Sequence, residues 1–230
     1  MKGQNRIIVV CGRRGGGKTS FVKQVIRYVP RLLVFDHHGE YGDAVPNPVR
    51  DEEELYDFLA EEAAECDQWA CRFVPDYEVE ENAEQFCRAA YEQGKCTIAI
   101  DEAEQLMSPS YVPPELARCL RLGRHRDLNI VLVTLRLAEL ARSATALADA
   151  FIECGAITEP KDLEALTERT DPEFVRAVRG QGRYGRLGFD VIERSEFELD
   201  PTKVRSLLDT EVPLAGSSSH SDDFRGSLTE

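Results

Sequence analysis

The chain has 230 residues, with 42 acidic against 28 basic side chains and a formal net charge of −14, a length that suits one α/β domain with a sizeable core. No apolar stretch approaches the ~18 residues of a membrane span, and the opening MKGQNRIIVV lacks the long apolar region and small-residue cleavage site of a signal peptide, so a soluble, cytoplasmic protein is expected. The acidity excludes a molecule coated in nucleic-acid-binding surface, though not a local basic strip such as the lining of an oligomer's channel.

Residues 6–11 (RIIVVC) read as a buried strand, and residues 19–28 as a helix with Phe21, Val22, Val25 and Ile26 on one face. Between them GRRGGGKT, residues 12–19, has the G-x-x-x-x-G-K-T spacing of a phosphate-binding loop, in the strand–loop–helix context that loop needs. That context argues against a glycine-rich turn that binds nothing. Gly12, Arg13, Arg14, Gly15, Gly16, Gly17, Lys18, Thr19 and Ser20 are therefore the expected nucleotide-binding residues. Backbone N–H groups and the positive end of the helix would hold the β-phosphate, Lys18 would reach the β and γ oxygens, and Thr19 would offer its hydroxyl to Mg²⁺.

Residues 31–36 (RLLVFD) form the next expected strand, ending at HHGEYGD. Gly39 allows a tight turn near the phosphates, and Glu40 or His38 is placed to touch water, metal or a neighbouring subunit; a plain structural turn is the alternative. His37 and His38 are adjacent, so in an extended segment their side chains point opposite ways. An amphipathic helix follows at Glu52–Glu65, a short strand at 70–74 and a helix at Val79–Gln93.

Residues 96–101 (CTIAID) read as a buried strand that delivers Asp101 and Glu102 at its C-terminal end, where ligands bind in such sheets. Asp101 is the expected metal-side carboxylate, directly or through a water, and Glu102 the general base that polarises water toward the γ-phosphate. An acidic pair after a strand also occurs as a helix N-terminal charge pattern, but the 12–19 loop favours the hydrolytic reading. A small-molecule kinase would leave Glu102 idle.

A helix is expected at 114–124, followed by Arg126 and a buried strand at Asn129–Thr134. Arg118, Arg121, Arg124 and Arg126 cluster here. A guanidinium at a subunit edge can stabilise charge at a neighbour's γ-phosphate, with Arg124 the first choice and Arg121 the second; a solvated helix face is the alternative. A helical stretch at 138–142, a strand at Ala150–Cys154 and helices at Pro160–Thr167 and 172–179 complete the alternation. Residues 180–199 change character and resemble a hairpin or edge addition. From 212 onward the composition is that of a flexible solvated tail, leaving residues 1–211 as a single domain. The seven cysteines mostly sit in apolar surroundings and read as core residues. The expected architecture is an α/β P-loop domain with a mostly parallel central sheet flanked by helices.

Five segments together resemble the HerA/FtsK superfamily of P-loop DNA-pumping ATPases, including the packaging ATPases of membrane-containing icosahedral viruses. They are GRRGGGKT (12–19), FDHHGEYG (35–42), TIAIDEAEQL (97–106), GRHRDLNIVLVTLR (123–136) and ALADAFIECGAITEPKDLEAL (146–166). The resemblance implies a RecA/FtsK-like fold, and an ATPase using ATP and Mg²⁺ to move double-stranded DNA through a homo-oligomeric ring, a hexamer or a pentamer. By the same resemblance Lys18 and Thr19 serve phosphate and magnesium, Asp101 serves metal, Glu102 activates water, and an arginine in the 121–126 region acts across the interface. One departure stands out: the family places a glutamine sensor after the strand, where this chain reads Thr134-Leu135-Arg136-Leu137. Leucine cannot make that polar contact, so Thr134 or Arg136 takes over or coupling works differently.

Little sequence lies beyond the motor core, which favours a viral packaging motor that fills a preformed capsid, attached through capsid vertex proteins and working in the host cytoplasm. The competing readings are an assembly or secretion ATPase for a filamentous phage or pilus, and an ATP-dependent regulatory switch without DNA translocation.

Overall fold

The computed structural model describes residues 5–76, 79–198 and 200–208. The tail expected from residue 212 lies outside the described residues. The parallel strands are β1 (Ile7–Cys11), β2 (Arg31–Phe35), β3 (Pro48–Val49), β4 (Trp69–Phe73), β5 (Thr97–Ile100), β6 (Asn129–Thr134) and β7 (Ala150–Cys154). Two antiparallel strands, β8 (Arg186–Asp190) and β9 (Ser195–Glu198), extend the sheet beyond β7. The strand order is β3-β4-β2-β5-β6-β1-β7-β8-β9. The sheet is thus mostly parallel, and the hairpin expected at 180–199 is its edge addition.

Alternation along β1 divides the core. Val9 and Cys11 join one apolar layer with Leu33, Phe35, Phe86 and Phe151, while Ile8 and Val10 join the other with Phe21, Val22, Val25 and Ile26. That second set lies on α1 (Lys18–Ile26), with the 3.6-residue spacing that puts them on one face. On the first face pack α2 (Glu52–Glu65), begun by Asp51 accepting from the Glu54 amide, α3 (Val79–Gln93) and α4 (Pro114–Leu122). The strands read as continuous apolar runs because both faces are covered.

One local expectation is corrected and two elements are additions to it. The helix expected at 138–142 is a 3₁₀ turn, Leu137–Glu139, followed by α5 (Arg142–Leu147), because the chain extends at Leu140 and Ala141 before the new helix starts. Strand β3 and the helix α8 (Pro201–Leu208) were not anticipated. The two residues of β3 are too short for a periodic signal, and α8 follows α6 (Pro160–Thr167) and α7 (Pro172–Gly180) only after the hairpin. Val204 and Leu208 of α8 cover the α1 face of the sheet, and the carbonyl of Leu208 accepts a 3.0 Å bond from the buried Asn129 side chain. Six of the seven cysteines are buried and Cys66 is exposed.

Candidate nucleotide-binding site

Residues 12–17 connect the C-terminal end of β1 to α1, at the sheet edge where the chain order reverses between β1 and its neighbours β6 and β7. Gly17 caps α1 at φ 86°, a left-handed conformation that glycine adopts without strain. A Cβ at Gly16 would sit 2.7 Å from the Cys154 carbonyl oxygen, so the loop rests directly on the end of β7. No side chain caps the first turn of α1 and no acidic residue lies in it, which leaves its amides and dipole oriented toward an anion. The Lys18 ammonium is buried and donates to the carbonyls of Gly12, at 2.7 Å, and Arg13, at 3.3 Å.

A cavity of about 740 Å³ opens over this loop. It is lined by Arg14, Gly15, Gly17, Lys18, Thr19 and Ser20 from the loop side, and by His38, Glu40, Asp101, Glu102, Val133, Thr134 and Leu135 opposite. Of the expected binding residues, Gly12, Arg13 and Gly16 lie outside the lining: Gly12 and Gly16 are buried beneath the loop and Arg13 is exposed beside it.

Asp101 follows β5 and is buried. Burial pushes its carboxyl up to about 6; Glu102 and Glu40 add to the rise, while the Glu102 amide and Lys18 oppose it. Glu102 adopts a left-handed backbone, φ 47°, which turns its side chain away from the strand direction and into the cavity. There its Oε2 meets His38 Nε2 at 2.8 Å and accepts from the Gln105 amide. The expectation that His37 and His38 point apart is overturned: their rings lie 4.0 Å apart and both face Glu102. The reason is that the segment is not extended. The buried Asp36 carboxylate accepts from the amides of Glu40, at 2.8 Å, and Tyr41, at 3.0 Å, folding residues 36–41 into a turn that aims His38 and Glu40 at the cavity. Burial, then the neighbouring His38, lowers the His37 pKa.

The residues after β6 divide between two tasks. Thr134 lines the cavity and exchanges hydrogen bonds with the backbone of Arg136. Arg136 itself lies outside the lining, with Nε 2.7 Å from the buried Asp162 carboxylate. Leu135, where the sequence resemblance implies a glutamine, lines the cavity while its amide donates to Glu104 at 2.9 Å. Arg121 and Arg124 are exposed and do not line the cavity. The 3₁₀ turn Gly123–Arg126 lies at the opposite edge of the sheet, bonded to the residues that enter β1 and β5: Asn5 donates to Gly123, and the Lys95 amide to Arg126.

Sequence reasoning did not assign Glu104 or Gln105 to the site, and it reads Arg183 and Arg186 only as members of a basic cluster with Arg169, Arg176 and Arg179, without placing them at the loop to which the β8 addition carries them. The acidic neighbours of Glu102 were visible as the run DEAEQ, but nothing in the sequence shows which face each takes after the left-handed step at Glu102.

A phosphate-binding loop after the first strand, with an acidic pair two strands away at the same edge, defines the P-loop, RecA-like α/β fold. No protein-family model matches the chain, and no curated protein matches it in sequence. The fold is similar to that of the genome packaging NTPase B204 from Sulfolobus turreted icosahedral virus 2. In complex with AMPPCP that structure has a TM-score of 0.68 at 22% identity, over 86% of this chain and 98% of that one. In complex with sulfate it has a TM-score of 0.70 at 21% identity, over 86% and 97%. The fold is also similar to that of VirB4 of Thermoanaerobacter pseudethanolicus, with a TM-score of 0.53 at 14% identity over 85% and 89%. Among the described residues no helix is long and apolar enough to cross a membrane.

Proposed function

We propose that the chain is an ATP-hydrolysing motor that moves double-stranded DNA, and that its task is to package a viral genome into a preformed capsid. The observation that carries this reading is one cavity faced by Lys18 and Thr19 from the loop and by Asp101 and Glu102 from β5, on a fold similar to a genome packaging NTPase.

The loop amides and Lys18 bind the β- and γ-phosphates of ATP. Thr19 and Asp101 present hydroxyl and carboxylate oxygens to the same cavity, a donor set that fits a hard divalent cation. Mg²⁺ held by these two residues would neutralise charge on the phosphates. Glu102 orients the attacking water and accepts its proton as phosphate separates from ADP. Thr134, at the end of β6, is the polar group beside Leu135 that can register the state of the γ-phosphate, and Glu40 flanks the same space.

In this reading the working form is a homo-oligomeric ring, a hexamer or a pentamer, around DNA. Arg124, with Arg121 second, serves a neighbouring subunit, since its place at the far sheet edge removes it from its own cavity. Capsid vertex proteins anchor the ring, and the protein acts in the host cytoplasm and at the virion vertex.

Steady-state ATP hydrolysis with Mg²⁺, measured over a range of protein concentrations with and without long double-stranded DNA, tests the reading. Turnover per subunit should rise with concentration and with DNA. Tight ATP binding with flat, DNA-indifferent turnover would replace the motor with a nucleotide switch.

A further inference from the structure

On the side of the phosphate loop away from Asp101 and Glu102, the segment entering β8 lies against the loop. The sheet order β5-β6-β1-β7-β8 places the acidic pair two strands from β1 in one direction and β8 two strands away in the other. The segment is tied down at several points: the Gly155 amide donates to Gly185 at 2.7 Å, the Gln181 side chain donates to the Gly155 carbonyl at 2.7 Å, and Arg186 pairs in register with Cys154. Cys154 is the residue whose carbonyl underlies Gly12 and Gly16.

Two guanidinium groups from this segment reach the loop. Arg183 lies over Gly15, close enough that a Cβ there would stand 3.2 Å from its Nη2; a Cβ at Gly17 would stand 3.5 Å from Nη2 of Arg186. The Arg186 guanidinium also covers Phe21 in the first turn of α1, 5.2 Å from the ring centroid. Among the described residues neither arginine forms an ion pair with a carboxylate. Two cations without carboxylate partners beside a ring of backbone amides are placed to meet an external anion.

We infer that Arg183 and Arg186 close the second side of the nucleotide site within the same subunit, gripping the diphosphate portion common to ATP and ADP. This rests on the proposed nucleotide-binding reading and deepens it. The acidic pair on the β5 side attends to water and the γ-phosphate, so guanidiniums on the β8 side contribute to holding the nucleotide rather than to the attack of water. They are binding residues of a different kind from an arginine that acts across a subunit interface, whose loss lowers turnover while leaving affinity in place.

The test is titration of the full chain with ADP and with ATPγS, alongside steady-state kinetics, for wild type, R183A/R186A, R183K/R186K and the loop control K18A. The double alanine variant should bind both nucleotides roughly 10–100-fold more weakly. Its KM for ATP should rise by a similar factor, while kcat at saturation falls less than ~3-fold, and the lysine variant should recover part of the affinity through retained charge. Arg183 is exposed, so R183A alone keeps the test available should the double variant fail to fold. Wild-type affinity for ADP in the folded variants, a loss confined to kcat, or a loss confined to DNA binding would each overturn the inference. Failure of wild type itself to bind ATPγS would instead remove the nucleotide reading on which it rests.

Discussion

His38 Nε2 stands 2.8 Å from Oε2 of Glu102, so the carboxylate proposed to act on water is held by a side chain from the turn after β2. Gln105 donates to the same oxygen. That oxygen is therefore occupied, and Glu102 reaches water with its other oxygen or after a rotation that breaks the histidine contact. A hydrogen bond to a charged group contributes about 1.5–3 kcal/mol, less at a half-exposed site. His38→Ala is expected to raise DNA-free ATP turnover about 3–10-fold and to shrink the further stimulation by DNA. Turnover at or below wild type would show that the contact positions Glu102 rather than restraining it.

Glu102→Gln keeps the shape of the side chain and its partners but removes the basic oxygen. Turnover should fall by ~10² or more while ATPγS affinity stays near wild type. The comparison is single-turnover hydrolysis against equilibrium binding, and unchanged hydrolysis would rule out Glu102 as the base.

Arg124 lies at the sheet edge opposite its own cavity, so the role proposed for it in hydrolysis is one across a subunit interface. Mixing Arg124→Ala subunits with Glu102→Gln subunits should restore turnover well above either variant alone, because wherever an Arg124→Ala subunit holds the nucleotide and a Glu102→Gln subunit supplies the arginine, the interface has both intact groups. Arg121→Ala provides the second candidate in the same assay. Absence of complementation with both would place the interfacial cation elsewhere.

Glu153 is fully buried on β7 with at most the weak thiol of Cys11 as a donor, and burial pushes its pKa up to about 8 against the lowering effect of that thiol. In the unfolded chain the group ionises near its ordinary value of about 4.3. Below that pH it is protonated in both states and adds no pH-dependent term; between there and about 8 the unfolded state alone ionises, so stability declines as pH rises from the unfolded to the folded value. Glu153→Gln should abolish this slope and be more stable than wild type by on the order of 5 kcal/mol above about pH 9. Thermal melts of both proteins from about pH 5 to 9 provide the check, and parallel curves would falsify the assignment.

Much of the fold was legible because its signals are local. Five-residue apolar runs and the glycine spacing of residues 12–19 specify strands and a phosphate loop through hydrophobic periodicity and backbone freedom alone. Helix α2 was readable to its ends because Asp51 caps it and acidic residues fill its first turn. Helix α8 was not, since its assignment depends on Val204 and Leu208 finding the apolar face beside α1.

The sequence by itself determined which residues are proposed to carry phosphate and acid chemistry, because Lys18 and Thr19 open the helix after the β1 loop and Asp101 and Glu102 follow β5, positions that chain order sets. Only the tertiary structure decided what surrounds them. The turn pinned by Asp36 sends His38 to Glu102, Asp162 draws Arg136 away from the cavity, and β8 brings Arg183 and Arg186 onto the loop. Those relationships join residues far apart in the chain, and their geometry is set by strand order and by how buried charges find partners, neither of which is encoded in any short window of sequence.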